Sequence, residues 1–230
     1  LGQVQDLGQQ PVQVFSTFAD QPGLLLEFRV VDAPLHQLER AHGVLRVCVD
    51  RACPLRPLVD AGIMPADYPV TVNAVSGYSG GGKSMIEAYE TGKAPLFELY
   101  GLGLEHKHVP ELQKYSKLTR RPIFVPSVGN YRKGMLVSVP LHLDTLPGKP
   151  TAKDLEAALE KHYAGSKYVK VVKSDDPSSK GGRLDALALN DTNLLELRVF
   201  GNDKRGHAVL VARLDNLGKG ASGAAVQNIG

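Results

Sequence analysis

The chain has 230 residues, enough for one medium domain or two small ones; 43% are hydrophobic and 22% charged, which excludes fibrous and broadly disordered classes. Lys plus Arg number 27 against 24 Asp plus Glu, and a net charge of +3 gives no basis for a nucleic-acid partner. No apolar run reaches the roughly 18–20 residues that span a bilayer, and two cysteines supply no disulfide framework, so no membrane partner and a reducing, cytoplasmic setting are expected.

The two ends of the sequence differ. Every Lys lies at position 83 or beyond, whereas seven of nine Gln lie at or before Gln37. The first 54 residues carry four Arg against six acids, and the remainder is net basic. Such a seam marks a change of domain or of origin, so two units are expected, residues 1–54 and 55–230. In the first, Leu24–Val31 reads as a buried strand and Pro34–His42 as a short helix. The amino terminus shows no charged-then-apolar signal pattern. Within these first 54 residues no G-x-G-x-x-G follows a strand, so a dinucleotide-binding domain is expected to be absent or incomplete. His36, His42, Cys48 and Cys53 match no zinc spacing, and no metal site is expected.

From Leu55 the pattern sharpens. Residues 69–75 read as a strand running into a glycine-rich turn, with a short helix over Met85–Glu90. Residues 134–143 read as a second strand, with Pro140 suggesting an edge or a bulge. Thr151-Ala-Lys-Asp154 is a capping box, after which Leu155, Ala158 and Leu159 recur on one helical face as far as Gly165. Strands follow at 168–173, 193–200 and 208–214, with a polar loop over Ser174–Arg183. The pattern predicts an α+β fold, a mixed and largely antiparallel sheet covered by helices on one face.

Three clusters carry chemistry. Gly77-Tyr-Ser-Gly-Gly-Gly-Lys-Ser84 fits the phosphate-cradling pattern G-x-x-x-x-G-K-[ST], but no apolar strand ending in a magnesium-holding carboxylate follows it. Tyr100-Gly-Leu-Gly-Leu-Glu-His-Lys-His-Val-Pro-Glu111 sets His106 and His108 two residues apart beside glycines, a pattern that suits proton transfer and that a surface loop with incidental imidazoles would also give. In Asp215–Gln227 a strand gives way to a small-residue turn and a helix start, where free N–H groups favour an anion or a cofactor amide; a flexible tail would have similar glycine content.

Ala74-Val-Ser-Gly-Tyr-Ser-Gly-Gly-Gly-Lys83, His106-Lys-His-Val-Pro-Glu111 and Asn216-Leu-Gly-Lys-Gly-Ala-Ser-Gly-Ala-Ala-Val-Gln227, in that order, resemble the N-acetyl-gamma-glutamyl-phosphate reductases of the shorter bacterial type. The resemblance runs from about Leu55 to Gly230 and displaces the P-loop reading. It implies the carboxy-terminal domain of a semialdehyde dehydrogenase, NADP(H) as cofactor, an acyl phosphate as substrate and a homo-oligomer. In that family a cysteine thiolate attacks the acyl phosphate, phosphate leaves, and NADPH reduces the thioester to a semialdehyde. The resemblance implies His106 as acid/base, supported by His108. It implies Ser76, Gly77, Ser79, Lys83, Tyr100 and Arg132 on the substrate, and Asn216, Lys219 and Gly220 on the cofactor.

The family's Asn-Pro-Gly-Cys-Tyr-Pro-Thr segment has no counterpart, and the neighbours of Cys48 and Cys53 do not match it. The chain is therefore expected to be inactive alone. A non-catalytic dimerisation module or remnant is the alternative, followed by an aspartate-semialdehyde-type dehydrogenase and a P-loop nucleotide-binding protein.

Overall fold

A computed structural model describes residues 54–222. Its strands are β1 (Thr71–Gly77), β2 (Phe97–Leu99), β3 (Ile123–Gly129), β4 (Met135–His142), β5 (Val169–Val171), β6 (Leu195–Asn202) and β7 (His207–Leu214). Its α-helices are α1 (Arg56–Asp60), α2 (Lys83–Glu90), α3 (Val109–Tyr115) and α4 (Ala152–His162). The strands form one sheet in the order β2–β3–β1–β4–β7–β6–β5. β1 pairs in parallel with β3 and β5 with β6, while the other four pairings are antiparallel. The five strands expected from Leu55 onward are present, their ends moved by at most two residues.

Strand side chains alternate between two faces. The inner face carries residues such as Val72, Val137, Val139, Leu197, Leu210 and Leu214, which are buried with Leu58 of α1, Leu112 of α3 and Leu155 and Leu159 of α4. Each such leucine contributes roughly 1.5–3 kcal/mol by leaving water. α4 starts where predicted: the Thr151 hydroxyl accepts from the Asp154 N–H, and the Asp154 carboxylate accepts from the Thr151 N–H at 2.7 Å. Leu155 and Leu159, one turn apart, then face the sheet.

The outer face runs in rows across the sheet. One row is Leu99, Ser127, Val75, Leu136, Arg213 and Glu196; the next includes Val125, Asn73, Ser138, Val211 and Arg198. Its apolar part borders a cavity of about 470 Å³ reaching to Gly182 and Leu184. At the other end, Arg198 donates to Ser178, Ser179 and Glu196, and Arg213 donates to Glu196 and the Asp185 carbonyl, which pins the 177–185 segment onto the sheet.

Pro140 corrects one expectation. It lies in β4, which is central rather than at an edge. The strand tolerates it because β1 pairs with β4 only as far as Ser138, so no ladder bond to β1 falls on a proline nitrogen. Pro126 in β3 likewise lies beyond the β2 pairing, which covers Ser127–Gly129. The expected strand at 24–31, the expected helix at 34–42, Cys48, Cys53 and the helix start expected after the carboxy-terminal turn lie outside the described residues. No described helix is long and apolar enough to cross a membrane. Among the described residues no group of three or more His, Cys, Asp or Glu is placed to hold a metal ion.

Candidate active site

β1 delivers the glycine-rich segment to the top of the sheet. Gly77 pairs with Gly129 of β3, and its N–H donates to the Gly134 carbonyl at 2.9 Å. The next two N–H groups, of Tyr78 and Ser79, donate to the carbonyls of Tyr131 and Arg132. A Cβ on Gly77 would lie 2.5 Å from the Arg132 carbonyl oxygen, so only glycine lets the β3–β4 turn press so closely. The chain continues through a 3-10 turn (Tyr78–Gly81) to Gly82, whose φ of +82° suits glycine, and enters α2. No side chain caps α2, so its first N–H groups are available to an acceptor.

The histidines arrive through the connection from β2 to α3. The Tyr100 N–H donates to the Pro126 carbonyl, and Gly101 turns the chain with φ +62°. The His106 carbonyl accepts from the Val109 N–H and the His108 carbonyl from the Leu112 N–H, which starts α3 immediately after the pair. The His106 ring lies edge-on to Phe124 at 5.1 Å between centroids, with Tyr100 at 5.9 Å and His108 at 5.1 Å. The His108 backbone N–H donates to His106 Nδ1 at 3.2 Å. In the neutral ring the proton is therefore on Nε2. His108 Nδ1 lies 2.8 Å from Glu111 Oε2.

These segments meet at one cleft of about 420 Å³. Of the residues singled out by sequence, Ser76, Gly77, Ser79, Tyr100, His106, His108, Asn216 and Gly220 line it. Three others do not. Lys83 is exposed at the start of α2; Arg132 is exposed, its guanidinium 3.5 Å from Glu90; Lys219 is buried with Nζ 5.2 Å from the Tyr168 ring centre. The wall also contains Gly80–Gly82, Met85, Lys107, Val128, Met135 and Leu217. Imidazole, uncapped helix N–H groups and small residues in one cleft suit a proton transfer beside a bound anion.

Residues 51–216 match the family model described as the semialdehyde dehydrogenase dimerisation domain. The chain belongs to that family. N-acetyl-gamma-glutamyl-phosphate reductase of Brucella ovis is 54% identical over 180 residues, covering 76% of this chain and 58% of the relative. N-acetyl-gamma-glutamyl-phosphate reductase 2 of Pseudomonas putida is 50% identical over 178 residues, covering 76% of this chain and 56% of the relative. The chain thus spans somewhat over half the length of the curated relatives it matches. Among solved structures, aspartate semialdehyde dehydrogenase from Francisella tularensis superposes with a TM-score of 0.58 at 13% identity, covering 80% of this chain and 63% of that one. Aspartate semialdehyde dehydrogenase II from Vibrio cholerae gives 0.53 at 15%, covering 77% and 57%. These likenesses carry the semialdehyde dehydrogenase fold.

Sequence reasoning missed Met85, Met135 and Leu217 in the wall of this semialdehyde dehydrogenase cleft. Met85 had a signal, because it is placed in the first turn of a helix that starts at a glycine-rich segment. Met135 and Leu217 had none, since only the tertiary fold brings their segments to the cleft.

Proposed function

We propose that this chain carries the substrate-side half of an NADPH-dependent acyl-phosphate reductase, converting N-acetyl-glutamyl 5-phosphate to the semialdehyde in arginine biosynthesis. The observation that carries this is the cleft shared by His106, Tyr100 and the glycine-rich segment 76–82. The N–H groups at the start of α2 and the glycines before it receive the phosphate. His106 holds and returns the proton through Nε2, and His108, paired with Glu111, sits beside it.

A nicotinamide dinucleotide supplies the hydride when bound. Gly220 leaves room for its reactive end against the cleft wall, and the seat for the remainder lies outside the described residues. The thiol nucleophile must likewise come from outside the described residues. This reading places residues 55–230 as the substrate and dimerisation unit and residues 1–54 as a segment of different origin, in a reducing, cytoplasmic setting that keeps a thiol free. The relatives' coverage of about three quarters of the chain and the shift in Lys and Gln usage support that division.

The apolar rows of the outer sheet face, with the family's description, support a homo-oligomer that meets across this face.

The test is a chimera in which residues 55–230 replace the matching half of the Brucella ovis reductase. Substrate-dependent NADPH oxidation is expected from the chimera and none from this chain alone. A chimera that folds, binds NADPH and fails to turn over would leave a non-catalytic dimerisation module as the reading. Faster turnover of aspartyl phosphate than of N-acetyl-glutamyl phosphate would move the assignment to the aspartate-type enzymes.

A further inference from the structure

Asn216 sits beneath the glycine-rich segment, 8% exposed, with both ends of its amide engaged. Its Oδ1 accepts from the Gly134 N–H at 2.9 Å, and its Nδ2 donates to Ser79 Oγ at 3.0 Å. The Gly134 carbonyl accepts from the Gly77 N–H. The hydrogen bonds therefore form a circuit that leaves the glycine-rich segment at Gly77, passes through Gly134 and Asn216, and returns at Ser79. A Cβ on Gly80 would lie 3.4 Å from Asn216 Nδ2, which fixes how closely the segment lies over the amide.

The orientation of this amide is forced. A backbone N–H can only donate, so the atom facing Gly134 must be the amide oxygen, and the one facing Ser79 must be the NH₂. Ser79 Oγ must then accept from Asn216. A serine hydroxyl has one proton, and Asn216 cannot take it, so it remains for a different acceptor. The Ser79 N–H is already committed to the Arg132 carbonyl. Ser79 lines the cleft.

Asn216 itself is held from below. The buried Asp215 carboxylate accepts from the N–H groups of Leu217 at 2.8 Å, Gly218 at 3.1 Å and Asp191 at 2.8 Å. That cap fixes the turn from which the Asn216 side chain extends.

We propose that Asn216 is a positioning residue that sets the polarity of the Ser79 hydroxyl, making it a hydrogen-bond donor to an anionic oxygen of the ligand in the cleft. The inference rests on the proposed acyl-phosphate reading and deepens it. Asn216 then acts on the substrate side through Ser79, whereas the sequence resemblance implied a cofactor contact.

Inorganic phosphate is the probe, titrated into ¹⁵N-labelled full chain while the backbone signals of Gly80–Ser84 are followed. Ser79→Ala removes the hydroxyl and weakens binding by at least tenfold, the worth of one hydrogen bond to a charged group. Ser79→Thr, which keeps a hydroxyl, restores most of the loss. Asn216→Asp keeps an acceptor for Gly134 but presents Ser79 with a carboxylate that takes its proton, and it weakens binding to a similar degree. The two changes are coupled: most of the Asn216→Asp loss disappears in a Ser79→Ala background. Dispersed spectra establish that each variant is folded. If the wild-type chain binds phosphate and the variants bind it equally well, or the two losses simply add, the polarity role is overturned while the anion site stands. If the wild-type chain binds no phosphate, the anion site falls and the inference falls with it.

Discussion

The backbone N–H of His108 donates to Nδ1 of His106 across 3.2 Å, so one histidine sets the tautomer of the other. The bond occupies His106 Nδ1 and couples the ring's orientation to the first turn of α3. In the reductase chimera, His106→Ala is therefore expected to lower kcat/KM between about 100- and 10,000-fold, the range for a removed acid/base group. Steady-state NADPH oxidation measures it. A loss below about tenfold would remove His106 from the proton-transfer role.

Gly77→Ala is predicted to destabilise the chain by about 1–3 kcal/mol or more. The added Cβ would meet backbone at 2.5 Å from Arg132 O and 2.7 Å from Tyr131 O, and neither is a flexible side-chain end. Urea unfolding of the two proteins gives the difference. An unchanged midpoint would mean that the β3–β4 turn does not press on the segment as described.

Much of the sheet is legible in the sequence because its signals are local. Thr151 and Asp154 define a helix start three residues apart, and the apolar alternation of 134–143 needs no partner to be read. β3 is not legible: Pro126 interrupts Ile123–Gly129, and only the arrangement of its neighbours shows that no needed N–H is lost there. The site divides in the same way. His106, Tyr100 and the glycine-rich segment stand out by composition. Lys83 follows Gly82 of the cleft in sequence and Arg132 lies between Val128 and Met135 of its wall, but α2 and the β3–β4 turn carry them to solvent. The engagement of both ends of Asn216 is a long-range fact, its partners lying 82 and 137 residues away.

Thr151→Ala should cost about 1 kcal/mol, since it removes the hydroxyl that accepts from the Asp154 N–H at the start of α4. A lowered thermal midpoint with native spectra is the expected result. No shift would show that the cap contributes nothing to the folded chain.

Glu196 gives the chain a specific acid response. Burial alone would raise its carboxyl, but the hydrogen bonds and charges of Arg213 and Arg198 together outweigh that effect and hold it below its ordinary value. A carboxyl lowered on folding stabilises the chain fully above its unfolded value, and that contribution is lost as pH falls through the folded value. Glu196→Gln removes the contribution and leaves Arg198, 3% exposed, without its anion. About 3 kcal/mol of stability should be lost at neutral pH, with a shallower decline into acid. Parallel pH profiles for the two proteins would contradict this.

If two copies meet across the outer face, Leu136→Asp in the middle of its rows should convert the assembly to a monomer. Light scattering after size-exclusion chromatography reads the mass. An unchanged assembly would place the contact elsewhere.

Between β1 and its neighbour β3 the chain makes one long excursion, from Ser76 through His108 and on to Ile123, which touches the sheet on the way only at the short edge strand β2. Most of the cleft belongs to that detour; Val128, Met135 and the 216–220 turn are the parts supplied from outside it. The excursion leaves β1 at Gly77 and returns at Ile123, which pairs with Thr71 at the opposite end of that strand, so the cleft hangs on a crossover that runs the length of both strands, and lengthening or shortening either strand would displace it.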